Sequence, residues 1–224
     1  MYAVQGFCIA YTRVLHKLLK NLLSNLFSPI FALKLTIMKL NKNLFISLIL
    51  LVVVAAVYRI IPNRPYGFAP QIAMALFGGA FFVKNKQWAF ALPVLSMFLS
   101  DLLYQGLYSL GYADIQGFYS GQWMNYLLIA SLTVFGFMIS SMKIGKVVIA
   151  SLGAPTVYFL LSNGMVWMGG GGYNHPKTFS GLILTLTDGI PFYQNSLAGT
   201  IVFSAILFGG YYFLRSAYGN KQVA

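Results

Sequence analysis

Six long runs of apolar residues constrain this chain more than any other feature of its sequence. The runs are 44–62, 66–83, 88–107, 123–142, 147–168 and 196–214. A helix needs about 20 predominantly apolar residues to cross the hydrocarbon core of a bilayer, and each run has roughly that length. Only 8% of the residues are charged, against about 25% in soluble domains. The sequence therefore predicts an all-α membrane protein with six transmembrane helices.

The basic residues indicate how these helices are oriented. The chain carries fifteen Lys and Arg and three acids, for a net charge of +12. Connections on one side of the predicted bundle hold Lys39, Lys42, Lys84, Lys86, Lys143, Lys146, Arg215 and Lys221. The opposite side holds Arg59, Arg64 and Lys177. Because basic residues collect in cytoplasmic loops, both termini are predicted to be cytoplasmic. This distribution accounts for the positive charge without a nucleic-acid partner.

The chain is predicted to have three parts. Residues 38–218 form the six-helix transmembrane domain, and residues 219–224 form a short cytoplasmic tail. Residues 1–37 are a basic extension. Its apolar residues between Leu15 and Phe27 recur at helical spacing, which is typical of an amphipathic helix that lies in the membrane interface. The alternative is that the native protein starts at Met38, where a basic flank directly precedes the first apolar run.

Small residues spaced four apart mark the second run. Ala69 is paired in this way with Ala73, and Ala75 with Gly79, after a start that contains Pro70. Such pairs allow membrane helices to approach closely. They have two interpretations: packing within this bundle, or a surface on which a second membrane protein docks.

Seven polar or aromatic residues near the predicted outer ends of the helices are candidate ligand-binding residues. They are Arg64, Asp101, Asn163, Trp167, His175, Asp188 and Asn195. Polar and ionisable groups are costly within a membrane and therefore point to a functional site. Structural roles are the alternative. Asp101 would then pair with an arginine. Asn163 would cap a helix end or form a hydrogen bond to a neighbouring helix. Trp167 would anchor the interface and His175 would lie in a solvated loop.

Motifs for catalysis are absent from the sequence. It contains no HExxH, no GxSxG and no GxxxxGK[ST] phosphate loop, so neither hydrolysis nor ATP-driven work is indicated. Two histidines and one cysteine are too few for a His- or Cys-rich metal centre. We expect no enzyme activity, no cofactor and no metal. We look instead to the long outer loops, 106–122 and 169–195, because loops held by a rigid scaffold commonly carry function.

Several stretches resemble an uncharacterised family of bacterial six-helix integral membrane proteins. They are APQIAMALFGGAFF, ALPVLSMFLSDLLYQG, FLLSNGMVWM, YNHPKTFSGL and DGIPFYQNSLAGTIVFSAILFGG, within roughly residues 59–210. That family is distantly similar to the substrate-binding (S) subunits of energy-coupling factor transporters. Those subunits capture vitamins or related micronutrients and dock a transmembrane coupling subunit that bears two ATPases.

This resemblance implies a multi-pass protein of the bacterial inner membrane that binds a small solute. Its partners would be the lipid bilayer, a transmembrane coupling subunit and the associated ATPases. The second function class is a membrane structural or assembly factor without a ligand. A stand-alone facilitator is disfavoured because the sequence shows no internal repeat, which many secondary transporters have.

Overall fold

The computed structural model of the chain describes residues 42–139, 141–170 and 172–218. This part contains six α-helices and no strand. They are α1 (Lys42–Arg59), α2 (Gln71–Phe81), α3 (Lys86–Ser109), α4 (Gln122–Met138), α5 (Ile144–Gly169) and α6 (Phe179–Tyr218). The chain divides into two units, 1–47 and 48–224, and the description below concerns the second. The predicted interfacial helix of residues 1–37 and the tail 219–224 lie outside the described residues.

Three of the six helices are long and apolar enough to cross a membrane. These are α3, α5 and α6. Helix α1 contributes the shorter apolar segment Ile46–Arg59, α2 has only 11 residues, and α4 has 17. The prediction of an all-helical chain with six helices is confirmed for the described residues, whereas membrane-spanning length is found in three helices rather than six.

Helix α2 is shorter than the apolar run that predicts it. The run covers 66–83, but the helix begins at Gln71. Pro70 stands directly before the first helical residue, and its carbonyl accepts a hydrogen bond from the Met74 amide at 2.8 Å. Proline suits this position because its missing N–H would have no partner there. Residues 60–70 thus form an irregular connection, in which Gly67 adopts a positive φ of 88°.

Helix α6 is longer than predicted. It begins at Phe179 instead of Ser196, so most of the predicted outer loop 169–195 is helical. Gly181 and Gly189 favour a loop in the sequence, yet both serve close contacts. A Cβ on Gly181 would collide with the Pro176 carbonyl, and one on Gly189 would lie 2.6 Å from Asn163 Oδ1. These glycines let neighbouring segments approach the helix and do not break it.

Helix α2 lies at the centre of the bundle. Nine of its eleven residues are buried, and it contacts α3, α4, α5 and α6. Its closest neighbour is α4, because glycines face each other where the two helices cross. A Cβ on Gly79 would lie against the Thr133 carbonyl and 2.7 Å from Gly136 Cα. The loss of helix propensity at these glycines is offset by close packing.

The small residues of α2 therefore face the interior of the bundle. Ala73 and Ala75 are fully buried, and α4 covers Gly79. Ala69 precedes the helix and is half-buried. This arrangement corresponds to intramolecular packing, the first of the two interpretations of these residues. A partner protein would have to dock on another face.

Replacing Gly79 with alanine should lower the midpoint of thermal unfolding in detergent. The added methyl group overlaps α4, and overpacking of this kind costs about 1–3 kcal/mol. Gly106→Ala is the matched control, because Gly106 lies in α3 and a Cβ added there would have no atom within 4 Å. That variant should be neutral or slightly more stable. Equal stability of the two variants would contradict the α2–α4 contact.

Candidate functional site

One buried carboxylate joins three helices at one end of the bundle. Of the three acids, Asp101 is buried whereas Asp114 and Asp188 are exposed. Asp101 Oδ1 accepts a hydrogen bond from Arg59 Nη1 at 2.5 Å. Its Oδ2 accepts hydrogen bonds from Gln122 Nε2 and from the Tyr126 hydroxyl. Helices α1, α3 and α4 are thereby linked through a single side chain. We call this end, with the C-termini of α1, α3 and α5, the Arg59 end.

Arg59 is held by more than its carboxylate. Its Nη1 also donates to Ser100 Oγ at 2.6 Å, and its backbone carbonyl accepts from the Tyr104 hydroxyl at 2.8 Å and from Arg64 Nε at 3.2 Å. A buried charge is tolerated when it is paired and hydrogen-bonded in this way. The predicted pairing of Asp101 with an arginine is found in the structure.

The connection between α3 and α4 packs against this network. Gly117 approaches the Asp101 carbonyl so closely that a Cβ would collide with it. The Phe118 amide donates to Gln105 Oε1 at 3.3 Å. Burial raises the pKa of the Tyr119 phenol, and the nearby Asp101 carboxylate raises it further. The phenol is therefore neutral at pH 7 and accepts a hydrogen bond from Asn125 Nδ2 at 2.5 Å.

A cavity of about 300 Å³ lies beside this network at the Arg59 end. We call it the Arg64 cavity. Its polar lining residues are Arg59, Arg64, Gln71, Asn125, Ser162, Asn163 and Ser196, and its aromatic ones are Tyr158, Phe159, Phe192 and Tyr193. They come from α1, α2, α4, α5, α6 and the connection 60–70. Pockets for small molecules commonly combine a few placed polar groups with apolar and aromatic walls, at volumes from about 300 Å³ upward.

Hydrogen bonds and ring contacts fix several walls of the Arg64 cavity. The Tyr193 hydroxyl lies 2.9 Å from Thr156 Oγ1, and its ring centroid lies 4.7 Å from that of Phe159. Asn163 Nδ2 donates to the Phe159 carbonyl at 2.8 Å. The Tyr158 hydroxyl donates to Asn125 Oδ1 at 3.4 Å. These contacts hold the polar groups in place without a ligand.

Arg64 is anchored by backbone groups. Its Nε donates to the Arg59 carbonyl, and its Nη1 donates to the carbonyls of Pro65 at 3.4 Å and Phe68 at 2.8 Å. Within the described residues, neither ion pair involves Arg64. The guanidinium is thus positioned, but its charge is not neutralised by this part of the chain.

Three of the predicted site residues form a separate group next to the start of α6. His175 Nε2 lies 2.6 Å from Asp188 Oδ2. Trp167 Nε1 donates to the Pro176 carbonyl at 2.9 Å, and Lys177 Nζ lies 5.6 Å from the centroid of the Trp167 ring. None of these residues lines the Arg64 cavity. Their contacts fasten the connection between α5 and α6.

Only part of the predicted set comes together. Arg64 and Asn163 line the Arg64 cavity. Asp101 does not line the cavity, but it pairs with Arg59, which does. Asn195 fastens the connection 60–70 instead, because its Nδ2 donates to the Tyr66 carbonyl at 2.9 Å. Among the described residues, no group of three or more His, Cys, Asp or Glu could hold a metal ion.

The predicted set omitted several polar residues of the cavity wall, among them three that lie inside apolar runs. Asn125, Tyr158 and Ser162 lie in the apolar runs of α4 and α5. The available signal was the same one that singled out Asn163, a polar group inside an apolar run. The sequence does not reveal which of these groups face each other, since that depends on how α4 and α5 rotate and cross.

Replacing Asp101 with asparagine should destabilise the protein by up to about 3 kcal/mol, because it leaves the partly buried Arg59 charge without its carboxylate partner. The measurement is thermal or denaturant unfolding in detergent. Asp114→Asn is the control and should change stability by less than about 0.5 kcal/mol, since Asp114 is exposed. The double variant Arg59→Met/Asp101→Leu should recover much of the loss. A stable Asp101→Asn variant would contradict the role given to this pair.

Comparison with known proteins gives a family but no activity. Residues 39–222 match DUF6580, described as a family of unknown function. No curated protein and no solved structure matches the chain. Because the match covers most of its length, the chain belongs to the DUF6580 family of unknown function.

Proposed function

We propose that this chain is a multi-pass bacterial inner-membrane protein that binds a small solute in the Arg64 cavity and works in uptake with a partner complex. The observation that carries the proposal is the cavity itself, with its pre-positioned polar groups and aromatic walls at one end of an apolar bundle. The Arg59 end is the outer face in this proposal, since the lysine-rich connections lie at the other end.

The exposed surface supports a position within lipid. Large apolar side chains are exposed on several helices, including Leu50 at 61%, Met138 at 66%, Ile149 at 73% and Phe213 at 71%. Extensive exposed apolar surface is unusual for a soluble monomer. In a bilayer these side chains would contact acyl chains, and all six helices would lie across or within the membrane.

The short helix α2 fits this proposal. Its 11 residues extend over about 16 Å at 1.5 Å per residue, roughly half of a hydrocarbon core of about 30 Å. Its burial by four other helices explains how so short a helix can lie in the interior. The irregular connection before it includes Arg64, Gly67 and Ala69, which line the cavity. Non-helical backbone at membrane depth is tolerated where protein buries it or where it lines a cavity.

The dependence on partners rests on sequence and resemblance. The chain has no phosphate-binding glycine loop and therefore no recognisable means of using ATP itself. Energy-coupling factor S subunits, which it distantly resembles, obtain this function from a coupling subunit with ATPases. We propose the same division of labour here, with a vitamin-like or other micronutrient solute.

Reporter fusions test the proposed topology. Fusions after Lys86, Lys143 and Lys221 should report the cytoplasm, because positive loops are retained there. Fusions within 111–121 and 172–177 should report the exterior. Labelling of single introduced cysteines by a membrane-impermeant reagent gives an independent readout that needs no fusion partner. A cytoplasmic signal from 172–177 would exclude the six-helix topology.

Filling the cavity tests solute binding. Ser162 lines the Arg64 cavity, so Ser162→Trp should displace a bound solute. The neighbouring Leu161 is 45% exposed and does not line it, so Leu161→Trp is the matched control. Native mass spectrometry of gently purified protein should show a small-molecule adduct on the wild type and on Leu161→Trp, and should lose it in Ser162→Trp.

Two other outcomes of this experiment would count against the proposal. Absence of any adduct on the wild-type protein, together with co-purification of a membrane assembly complex, would support the ligand-free assembly factor. An adduct that persists in Ser162→Trp would place the solute outside this cavity and overturn the site assigned to it.

A further inference from the structure

We propose that the solute of the Arg64 cavity carries an anionic group, a carboxylate or a phosphate, that binds the guanidinium of Arg64. This inference rests on the proposed solute-binding function and specifies the chemistry of the ligand.

The charges around the cavity are not balanced. The chain has only three acids. Asp101 pairs with Arg59, Asp188 pairs with His175, and Asp114 is exposed and forms no ion pair within the described residues. Both arginines line the cavity, but only the charge of Arg59 is balanced. The cavity wall therefore carries an uncompensated positive charge, which favours an anion because a half-buried cation is poorly solvated.

The hydrogen-bond donors of Arg64 also favour an anion. A guanidinium has five N–H donors in a planar fork. In Arg64, Nε and Nη1 donate to the backbone carbonyls of Arg59, Pro65 and Phe68, whereas Nη2 has no acceptor among the described residues. The backbone contacts fix the orientation of the fork before a ligand arrives, which lowers the entropy cost of binding. The remaining donors suit carboxylate or phosphate oxygens.

The volume and the other walls of the cavity limit the size and the chemical character of the rest of the ligand. An engineered cavity of about 150 Å³ accommodates benzene, so about 300 Å³ corresponds to roughly a dozen non-hydrogen atoms. The rings of Phe159 and Tyr193, tilted by 31° to each other, add aromatic surface to the wall. Asn163, whose Nδ2 donates to the Phe159 carbonyl, adds a polar group to the same wall. A small organic acid with an apolar or aromatic body matches these features.

Two probes of equal shape test the charge requirement. Benzoate and benzamide differ chiefly in charge, and phenyl phosphate adds the second anion class. Binding to the purified full-length protein is measured from the shift in its unfolding midpoint with probe concentration. We expect benzoate or phenyl phosphate to bind the wild type at least tenfold more tightly than benzamide. Arg64→Gln should weaken binding of the anion about tenfold to a hundredfold, which is the range expected for loss of a charged hydrogen bond.

Two further variants keep this test decisive. Lys177→Gln removes an exposed cation outside the cavity and should leave benzoate binding unchanged. Arg64→Lys keeps the charge but loses the fork, so it should bind benzoate with intermediate affinity even if Arg64→Gln folds poorly. Equal binding of benzoate and benzamide by the wild type, no binding of either anion, or full affinity in both Arg64 variants would each overturn the inference.

Competition by lipid and the charge of the adduct that co-purifies with the protein distinguish the remaining outcomes. Displacement of benzoate by phosphatidylglycerol nanodiscs, but not by phosphatidylcholine nanodiscs, would assign the anion site to a lipid headgroup and overturn the free-solute inference. A native neutral adduct that Ser162→Trp abolishes and Arg64→Gln retains would overturn the inference while the proposed function stands. No adduct in the wild type would remove the proposed function itself.

Discussion

The buried carboxylate of Asp101 is the interaction on which the Arg59 end of the bundle depends. It accepts hydrogen bonds from Arg59, Gln122 and Tyr126, so the end of α1, the middle of α3 and the start of α4 share one fixed point. A carboxylate in so apolar a bundle is stable only when its charge is paired and its oxygens are hydrogen-bonded. Once those conditions are met, the three helices cannot shift independently.

The shape of the Arg64 cavity depends on the contacts of Asp101. The Arg59 carbonyl accepts from Arg64 Nε, so the position of one arginine determines that of the other. Asn195 Nδ2 donates to the Tyr66 carbonyl and thereby joins α6 to the same connection. The two arginines differ: Arg59 is paired with Asp101, whereas Arg64 is oriented by backbone carbonyls and forms no ion pair among the described residues, which is the basis of the proposed anion site. Binding sites built on rigid supports of this kind are pre-organised.

The sequence predicted the helical elements better than the site. Apolar runs located all six helices, and the pairing of Asp101 with an arginine was the structural alternative predicted for that residue. The predicted start of α6 was wrong because the apolar run begins only after the polar residues Gln194 and Asn195. The helix nevertheless extends back to Phe179, where Gly181 and Gly189 make room for Pro176 and Asn163. The cavity was predicted only in part. Its walls come from all six helices, and their relative rotation depends on tertiary packing that local patterns do not encode.

The proposed function requires a solute in the Arg64 cavity, beside the guanidinium of Arg64. Electron cryo-microscopy of the protein purified gently from its native membrane, with a bound antibody fragment to add mass, tests this most directly. We expect non-protein density in the cavity, in contact with the Arg64 guanidinium, with Asp101 still paired to Arg59. A map in which protein side chains fill the cavity, or in which Arg64 forms an ion pair with Asp114, would contradict it.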